Sequence, residues 1–187
     1  MAILSVAHMG HPVLRQVAEP VPLEEIPTPD FQRFCDDLVA SMHVHDGVGL
    51  AAPQVHVSRR VVVFQLNEDD GPMVLVNPVI TPLGQETNTA YEGCLSLPGL
   101  RGRVARVTRI RVDARDRTGA RLAFEAGGWA ARVVQHECDH LDGVLYIDRA
   151  DARTMAFLPE FRRYGPPLPS DDDASDEEEG DEGDVTE

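Results

Sequence analysis

The sequence contains a five-residue motif, His136-Glu137-Cys138-Asp139-His140, whose residue types and spacing can bind a metal ion. In an α-helix, residues four apart differ by about 40° in direction, so both imidazoles lie on one face, one turn apart. Glu137 lies about 100° round the helix from His136, where a carboxylate can act on a water at the metal without being a ligand. Cys138 points nearly to the opposite side, and we interpret it as a buried core thiol. The motif therefore predicts a hydrolytic metal centre on a helix.

Two histidines are too few for a stable catalytic metal site, so the chain must supply a third ligand. A histidine at position 146 would suit one class of hydrolase, but Tyr146 stands there. Glu160 follows His140 by twenty residues, a distance that thermolysin-like peptidases permit. Cys94, within residues 92–96, follows Gly93 at a predicted strand end, where a rigid edge can present a thiol. A thiolate with two imidazoles forms a compact and fairly soft site. From the residues alone, Glu160 and Cys94 both remain candidates.

A further segment of interest is rich in small residues and runs from Gly47 to Gln54, Gly-Val-Gly-Leu-Ala-Ala-Pro-Gln. Its two glycines and two alanines allow a ligand to approach the backbone closely. It is not a phosphate-binding loop, because the lysine of such loops is absent. Gln54 supplies a neutral hydrogen-bond donor at its end.

The elements that must position these residues follow from periodicity and turn residues. Thr28-Pro29-Asp30 predicts a helix start, with a hydroxyl cap, a proline in the first position and an acid in the first turn. The predicted helices are residues 12–19, 29–46, 129–141 and 150–157, and Pro159 is expected to disturb the end of the last one. The predicted strands are residues 60–66, 73–80, 103–115 and 121–124, with turns at 69–72 and 118–119. Several strands followed by a helix, without regular alternation, predict an α+β fold.

The net charge of −15 comes mainly from the C-terminal end of the chain. Residues 170–187 contain eleven acids and no base, and residues 166–169 are rich in proline. Such a segment buries too little apolar surface to offset its ordering entropy, so we predict a disordered tail over 166–187 and a single catalytic domain over 1–165. The tail can serve as a solubilising extension or as a contact for a basic partner.

Composition also limits the classes of protein to which this chain can belong. All 17 basic residues are arginine, which excludes a catalytic lysine, and they form no basic stripe of the kind that binds nucleic acid. No segment approaches the roughly 20 apolar residues of a membrane helix, and no signal peptide is recognisable. Three cysteines, an odd and sparse set, fit a reducing cytoplasm. We therefore predict a cytoplasmic protein without membrane or nucleic-acid binding.

Taken together, the three motifs strongly resemble those of the peptide deformylase family. That family carries G-Φ-G-Φ-A-A-x-Q, E-G-C-Φ-S and H-E-x-D-H in this order, where Φ is apolar. In this chain they stand complete at residues 47–54, 92–96 and 136–140. The resemblance covers about residues 5–149 and is closest to the compact bacterial form. It implies an α+β fold in which antiparallel sheets surround a central helix that carries both histidines.

The resemblance also implies an activity: removal of the formyl group from the N-terminal formylmethionine of nascent polypeptides, with release of formate. It implies Cys94, His136 and His140 as ligands of one divalent metal ion, natively Fe²⁺, with Zn²⁺, Ni²⁺ or Co²⁺ able to replace it. Metal-bound hydroxide would attack, with Glu137 as general base and then general acid. The residues expected to contact the substrate are Gln54 and the Leu95 N–H at the oxyanion, the Gly49 backbone, and Val48, Trp129 and Val133 at the methionine side chain.

Some roles remain open at this point. Asp139 is either a residue that orients a metal ligand or a carboxylate on the helix surface. Transient contact with the ribosome is a property of some family members, but an acidic tail would be repelled by ribosomal RNA. Two alternative functions are a small metallopeptidase that uses Glu160 and a metal-binding or nascent-chain-binding module without catalysis. The presence of both Glu137 and Gln54 argues against the second alternative.

Overall fold

The computed structural model describes residues 1–67, 69 and 71–166. Nearly all of the predicted tail, residues 167–187, lies outside the described residues, as does position 70 of the predicted turn at 69–72. In the described part of the chain, every helix is too short or too polar to cross a membrane.

The described part of the chain contains three α-helices and eight β-strands. The helices are α1 (Pro29–Val44), α2 (Gly128–Leu141) and α3 (Leu158–Tyr164), and single 3₁₀ turns cover Pro12–Arg15, Ala52–Val55, Tyr146–Asp148 and Ala152–Thr154. The strands are β1 (Gly49–Ala51), β2 (Val61–Phe64), β3 (Met73–Pro82), β4 (Thr87–Cys94), β5 (Leu97–Val107), β6 (Arg109–Arg115), β7 (Arg121–Gly127) and β8 (Ala156–Phe157).

The strands form two antiparallel sheets. The first has five strands in the order β1-β2-β3-β6-β7, and the second has three strands in the order β4-β5-β8. The β4–β5 pair is a long hairpin whose register shifts between Glu92 and Cys94. This irregularity lies at the strand end that carries the Cys94 thiol, and bulges of this kind re-aim a side chain next to a functional site.

Helix α2 packs on one face of the five-stranded sheet and also contacts the other sheet, where its Arg132 donates to the Val104 carbonyl of β5 at 3.0 Å. Val62, Leu75, Ile110 and Val112 of the five-stranded sheet pack with apolar residues of α2, among them Val134. The opposite face of the sheet carries Val61, Val63, Val74 and Val76 and packs on α1. All four residues of β2 are therefore buried, since successive side chains of a strand point to opposite faces. The α+β fold with antiparallel sheets around a central helix is confirmed.

Three predicted elements differ from the structure. The 12–19 helix is only a 3₁₀ turn, Pro12–Arg15. The single strand predicted for 103–115 is two strands, because the chain leaves one sheet at Val107 and enters the other at Arg109. The 150–157 helix is a 3₁₀ turn followed by β8, and Pro159 is the second residue of helix α3 instead of disturbing the end of a helix. A proline has no N–H to lose at the first helical positions, so it is well placed there.

Candidate metal centre

Helix α2 presents both histidines of the motif on one buried face. Their ring centroids are 5.1 Å apart, and His140 is 1% exposed. Burial lowers the pKa of His140 well below its ordinary value, so this imidazole is neutral. A neutral imidazole carries the lone pair that a metal ion requires.

Cys94, at the end of β4, brings a thiol to the two histidines. Its Sγ lies 3.2 Å from Nε2 of His140, and the donor atoms of Cys94, His136 and His140 all lie within 4.8 Å of one another. Among residues 1–67, 69 and 71–166 this is the one cluster able to hold a metal ion. Glu160 is exposed on α3, and Tyr146 is buried with its ring stacked on that of His136.

Glu92 fixes the orientation of His136. Oε2 of Glu92 lies 2.9 Å from Nδ1 of His136, and an ionised carboxylate can only accept a hydrogen bond. Burial raises the pKa of Glu92, but hydrogen bonds from Arg106 and His136 outweigh burial and lower it to about 2. Glu92 is therefore ionised and accepts the hydrogen bond from Nδ1 of His136. Burial lowers the pKa of His136, but hydrogen bonds with Cys94 and Glu92 outweigh it and raise this pKa to about 10, so a metal ion bound at Nε2 would displace a proton.

A buried network of charges surrounds Glu92. Arg106 donates to both Glu92 oxygens, at 2.7 and 2.8 Å, and to Asp139 at 2.7 Å. Arg132, one helical turn before His136, donates to Glu92 at 2.6 Å. Asp139 also accepts two hydrogen bonds from Arg149. At 7% exposure, Asp139 is not a surface carboxylate, and hydrogen bonds through Arg106 and Glu92 connect it to His136.

Glu137 lies buried beside Gly49 of β1. It is 4% exposed, and its Oε2 has no hydrogen-bond partner among the described residues. Burial raises the pKa of Glu137 to about 7. A methyl group at position 49 would lie 2.6 Å from Oε1 of Glu137, so only glycine leaves this carboxylate where it is. The carboxylate can therefore both accept and return a proton near neutral pH.

Gln54, in the 3₁₀ turn after β1, directs its amide nitrogen at the centre. Its Oε1 accepts a hydrogen bond from the Ala51 N–H at 2.8 Å, which fixes the orientation of the amide. Its Nε2 donates to Sγ of Cys94 and to Oγ of Ser96, both at 3.3 Å. The side chain is 2% exposed, so this donor is held in place at a water-poor site.

A cavity of about 420 Å³ opens onto these groups. Its wall includes four residues of the predicted substrate site, Val48, Gly49, Trp129 and Val133, together with Leu95. Val133 is buried, whereas Val48 and Trp129 are 40% and 55% exposed at the wall. The cavity thus joins an apolar pocket to the Cys94, His136 and Glu137 side chains, which also line it.

The donor set fits one divalent metal ion. A thiol sulfur and two imidazole nitrogens are ligand types that bind ions such as Zn²⁺ and Fe²⁺ at about 2.0–2.3 Å. The hydrogen bond from His136 to Glu92 leaves its other nitrogen facing the cluster, and His140 is held neutral by burial. Glu137 lies next to the cluster without belonging to it.

Comparison with known proteins assigns the chain to a family. The profile of polypeptide deformylase matches residues 3–155. The chain belongs to the polypeptide deformylase family. A peptide deformylase of Desulfitobacterium hafniense is 45% identical over 150 residues, which cover 80% of this chain and 96% of that protein. The family acts as a metal-dependent hydrolase that removes the N-terminal formyl group, and this chain shares that activity.

Solved peptide deformylases have the same fold. The enzyme of Thermotoga maritima superposes with a TM-score of 0.75 at 39% identity, covering 81% of this chain and 99% of that one. The deformylase of Acinetobacter baumannii with Met-Ala-Ser bound superposes with a TM-score of 0.75 at 35% identity, covering 79% of this chain and 98% of that one.

The sequence placed the neighbourhood of Glu92 at the methionine pocket and gave no role to Arg106 or Arg132, whereas the structure shows both arginines bonded to Glu92, which in turn orients His136. A signal for Arg106 was present in the sequence. Arg101 and Arg103 occupy alternate positions of β5, whereas Arg106 falls on the other parity and so on the inward face, where it is 5% exposed. A charged residue on the inward face of a strand is buried, and a buried charge indicates a partner of opposite charge.

Proposed function

We propose that Cys94, His136 and His140 hold the metal ion of the deformylase reaction, and that the ion in the cell is Fe²⁺. The convergence of their three donor atoms within 4.8 Å of one another carries this proposal. A site with one thiolate is soft enough for Fe²⁺, and Zn²⁺, Ni²⁺ or Co²⁺ can take its place. When bound, the ion supplies Lewis acidity, which makes a nearby water more acidic and polarises the formyl oxygen.

Glu137 is proposed as the general base and then the general acid. It takes the proton of the attacking water and later delivers a proton to the leaving amine nitrogen. Its pKa of about 7, raised by burial, supports both steps at neutral pH. Its free Oε2 leaves one oxygen available for this proton.

Gln54 and the backbone N–H of Leu95 are proposed to stabilise the negative charge that develops on the formyl oxygen. The hydrogen bond from the Ala51 N–H to Oε1 holds the Gln54 amide plane before any substrate arrives, and one N–H that donates to Cys94 or Ser96 would turn to the oxyanion. One preorganised donor of this kind contributes about 3–4 kcal/mol to transition-state stabilisation in other hydrolases.

The substrate is proposed to be formylmethionine at the start of a nascent polypeptide. Val48, Trp129 and Val133 line an apolar wall that suits a methionine side chain, and the Gly49 backbone is placed to bond the peptide. The Acinetobacter baumannii relative solved with Met-Ala-Ser supports a peptide that begins with methionine.

The remaining assignments are proposals of the same kind. Residues 1–165 form the catalytic domain, and 166–187 form an appended acidic segment. A thiolate ligand is best preserved in a reducing compartment, so we place the enzyme in the cytoplasm. We expect no binding to nucleic acid, and ribosome contact through the acidic segment is disfavoured by charge.

The test is deformylation of a formyl-Met peptide by protein purified without oxygen, with formate and bound metal measured together. We expect formate release with one metal ion per chain, and loss of turnover with metal retained in Glu137→Ala. Cys94→Ala should lose the metal. Glu160→Ala, at an exposed position, is the matched control and should keep both the metal and the formate release. Metal loss in Glu160→Ala, or full activity in Glu137→Ala, would contradict the proposal.

A further inference from the structure

Most arginines of the described residues have a carboxylate partner. Ten of them form ion pairs with aspartate or glutamate: Arg15, Arg33, Arg59, Arg60, Arg106, Arg109, Arg111, Arg117, Arg132 and Arg149. Two more, Arg115 and Arg121, lie opposite each other near the turn between β6 and β7.

The other five arginines have no carboxylate partner among residues 1–67, 69 and 71–166, and they cluster near the end of the described chain. We call them the arginine face: Arg101 and Arg103 of β5, Arg153 of the 3₁₀ turn Ala152–Thr154, and Arg162 and Arg163 of α3. Arg101 bonds only the Leu100 carbonyl, and Arg163 lies over the Tyr164 ring. Four of the five are exposed, and Arg101 is half-buried.

Three contacts place these residues on one surface. Arg101 and Arg103 are two residues apart on β5 and so point to the same side. Tyr91 of β4 pairs with Arg103, and its ring lies 4.6 Å from that of Phe161, which brings α3 onto this side. The Arg103 N–H donates to Oγ1 of Thr154 at 2.8 Å, which places the turn that carries Arg153 alongside.

The arginine face has an uncompensated positive charge. Two carboxylates, Asp151 and Glu160, belong to the same stretch of chain, and Asp151 is occupied by capping the Arg153 N–H. The five guanidinium groups of the face thus outnumber these two carboxylates. An excess of positive charge attracts a segment with many negative charges. A guanidinium group can bind a carboxylate through two parallel hydrogen bonds, so carboxylates are well-matched partners.

The matching anionic segment is in the same chain. Residues 167–187 begin three positions after the last residue of α3, Tyr164, and contain eleven acids and no base, beginning at Asp171. The contour length of 21 residues is at most about 70 Å, which sets the upper limit of their reach from residue 166. We propose that the acidic segment 167–187 docks on the arginine face of its own chain. Its effective concentration there is on the order of millimolar, far above that of a separate acidic partner.

Arginine footprinting on the full chain tests this docking without reference to catalysis. Phenylglyoxal modifies exposed arginines, and mass spectrometry gives the rate at each residue. The rates at the arginine face are compared with the rate at Arg121, which is exposed and also has no carboxylate partner among the described residues. At low salt we expect the four exposed arginines of the face to react at least about threefold more slowly than Arg121, because the segment covers them most of the time. At about 1 M salt, where screening acts over about 3 Å, the difference should disappear.

A variant with the same chain length but fewer acids tests whether the charge of the segment, and not its size, causes the protection. Replacing Asp171, Asp172, Asp173, Glu177, Glu178 and Glu179 by their amides should abolish the protection and leave the rate at Arg121 unchanged. Equal rates at the face and at Arg121 in the unmodified chain at low salt would overturn the proposal. Protection that grows with protein concentration would also overturn it, since the occupant would then be the segment of a second copy.

Discussion

The Glu92 carboxylate lies 2.9 Å from Nδ1 of His136 and thereby determines which nitrogen of that histidine faces Cys94. Glu92 stands two residues before Cys94 on β4, and His136 stands on α2. One hydrogen bond thus aligns the strand that supplies the sulfur with the helix that supplies the nitrogens.

Replacing Glu92 should weaken metal binding even though Glu92 is not in the ligand cluster. Glu92→Gln leaves the buried Arg132 without its carboxylate and Arg106 with Asp139 alone, and the loss of a ligand-orienting carboxylate typically lowers metal affinity about 10–100-fold. Breaking a buried ion pair destabilises a protein by about 3–5 kcal/mol. Chelator competition and thermal unfolding would measure both effects, with Glu160→Gln as the exposed control. An unchanged metal dissociation constant would refute the orienting role.

Substitution of Gly49 should impair catalysis and spare the metal. In Gly49→Ala the new methyl group would lie 2.6 Å from Oε1 of Glu137, so the carboxylate must move. A displacement of about 1 Å in a catalytic group can lower the rate about 100-fold. The control is Gly71→Ala, because a methyl group at that position meets nothing within 4 Å. If kcat/KM of Gly49→Ala equals that of Gly71→Ala, the contact has no catalytic consequence.

Removal of the Gln54 amide should lower kcat more than it raises KM. The proposed donor acts on charge that appears only in the transition state, and loss of one such donor lowers kcat about 10²–10³-fold. Metal content should stay at the wild-type level in Gln54→Ala. Gln16→Ala, at an exposed position, provides the comparison. An effect confined to KM would instead assign Gln54 to ground-state binding.

Thiol labelling should distinguish the three cysteines. Burial raises the pKa of Cys35 to about 11 and of Cys138 to about 12, so both are almost entirely protonated at pH 8. Since the thiolate is the reactive form and both other thiols are buried, iodoacetamide should modify the half-buried Cys94 of metal-free protein first. Added Zn²⁺ should then protect Cys94. Equal labelling of Cys94 with and without the ion would argue against its role as a ligand.

Local sequence rules correctly predict the positions of residues whose geometry depends on a single helix or strand. Thr28 accepts a hydrogen bond from the Phe31 N–H, as its position before Pro29 predicts, and α1 begins at Pro29. The two histidines share a face of α2 because a helix repeats every 3.6 residues whatever surrounds it. The same periodicity places Cys138 away from the cluster, where it packs in the core.

Relations between distant elements could not be derived in this way. Val107 and Arg109 are two residues apart but belong to different sheets, and the polar–apolar pattern of 103–115 is compatible with either arrangement. The contact between Cys94 and His140 spans 46 residues and became an expectation only through the family resemblance. Periodicity predicts which side of a helix or strand is buried. Which strands pair with one another depends on packing across the whole domain.

The close packing of Gly49 against Glu137 bears on drug resistance. Resistance to an inhibitor commonly arises when a residue at the contact is exchanged for a bulkier one. At position 49, any larger residue displaces the carboxylate proposed to run the reaction. We therefore expect that a substitution of Gly49 that blocks an inhibitor bound to its main chain would also lower the activity of the enzyme.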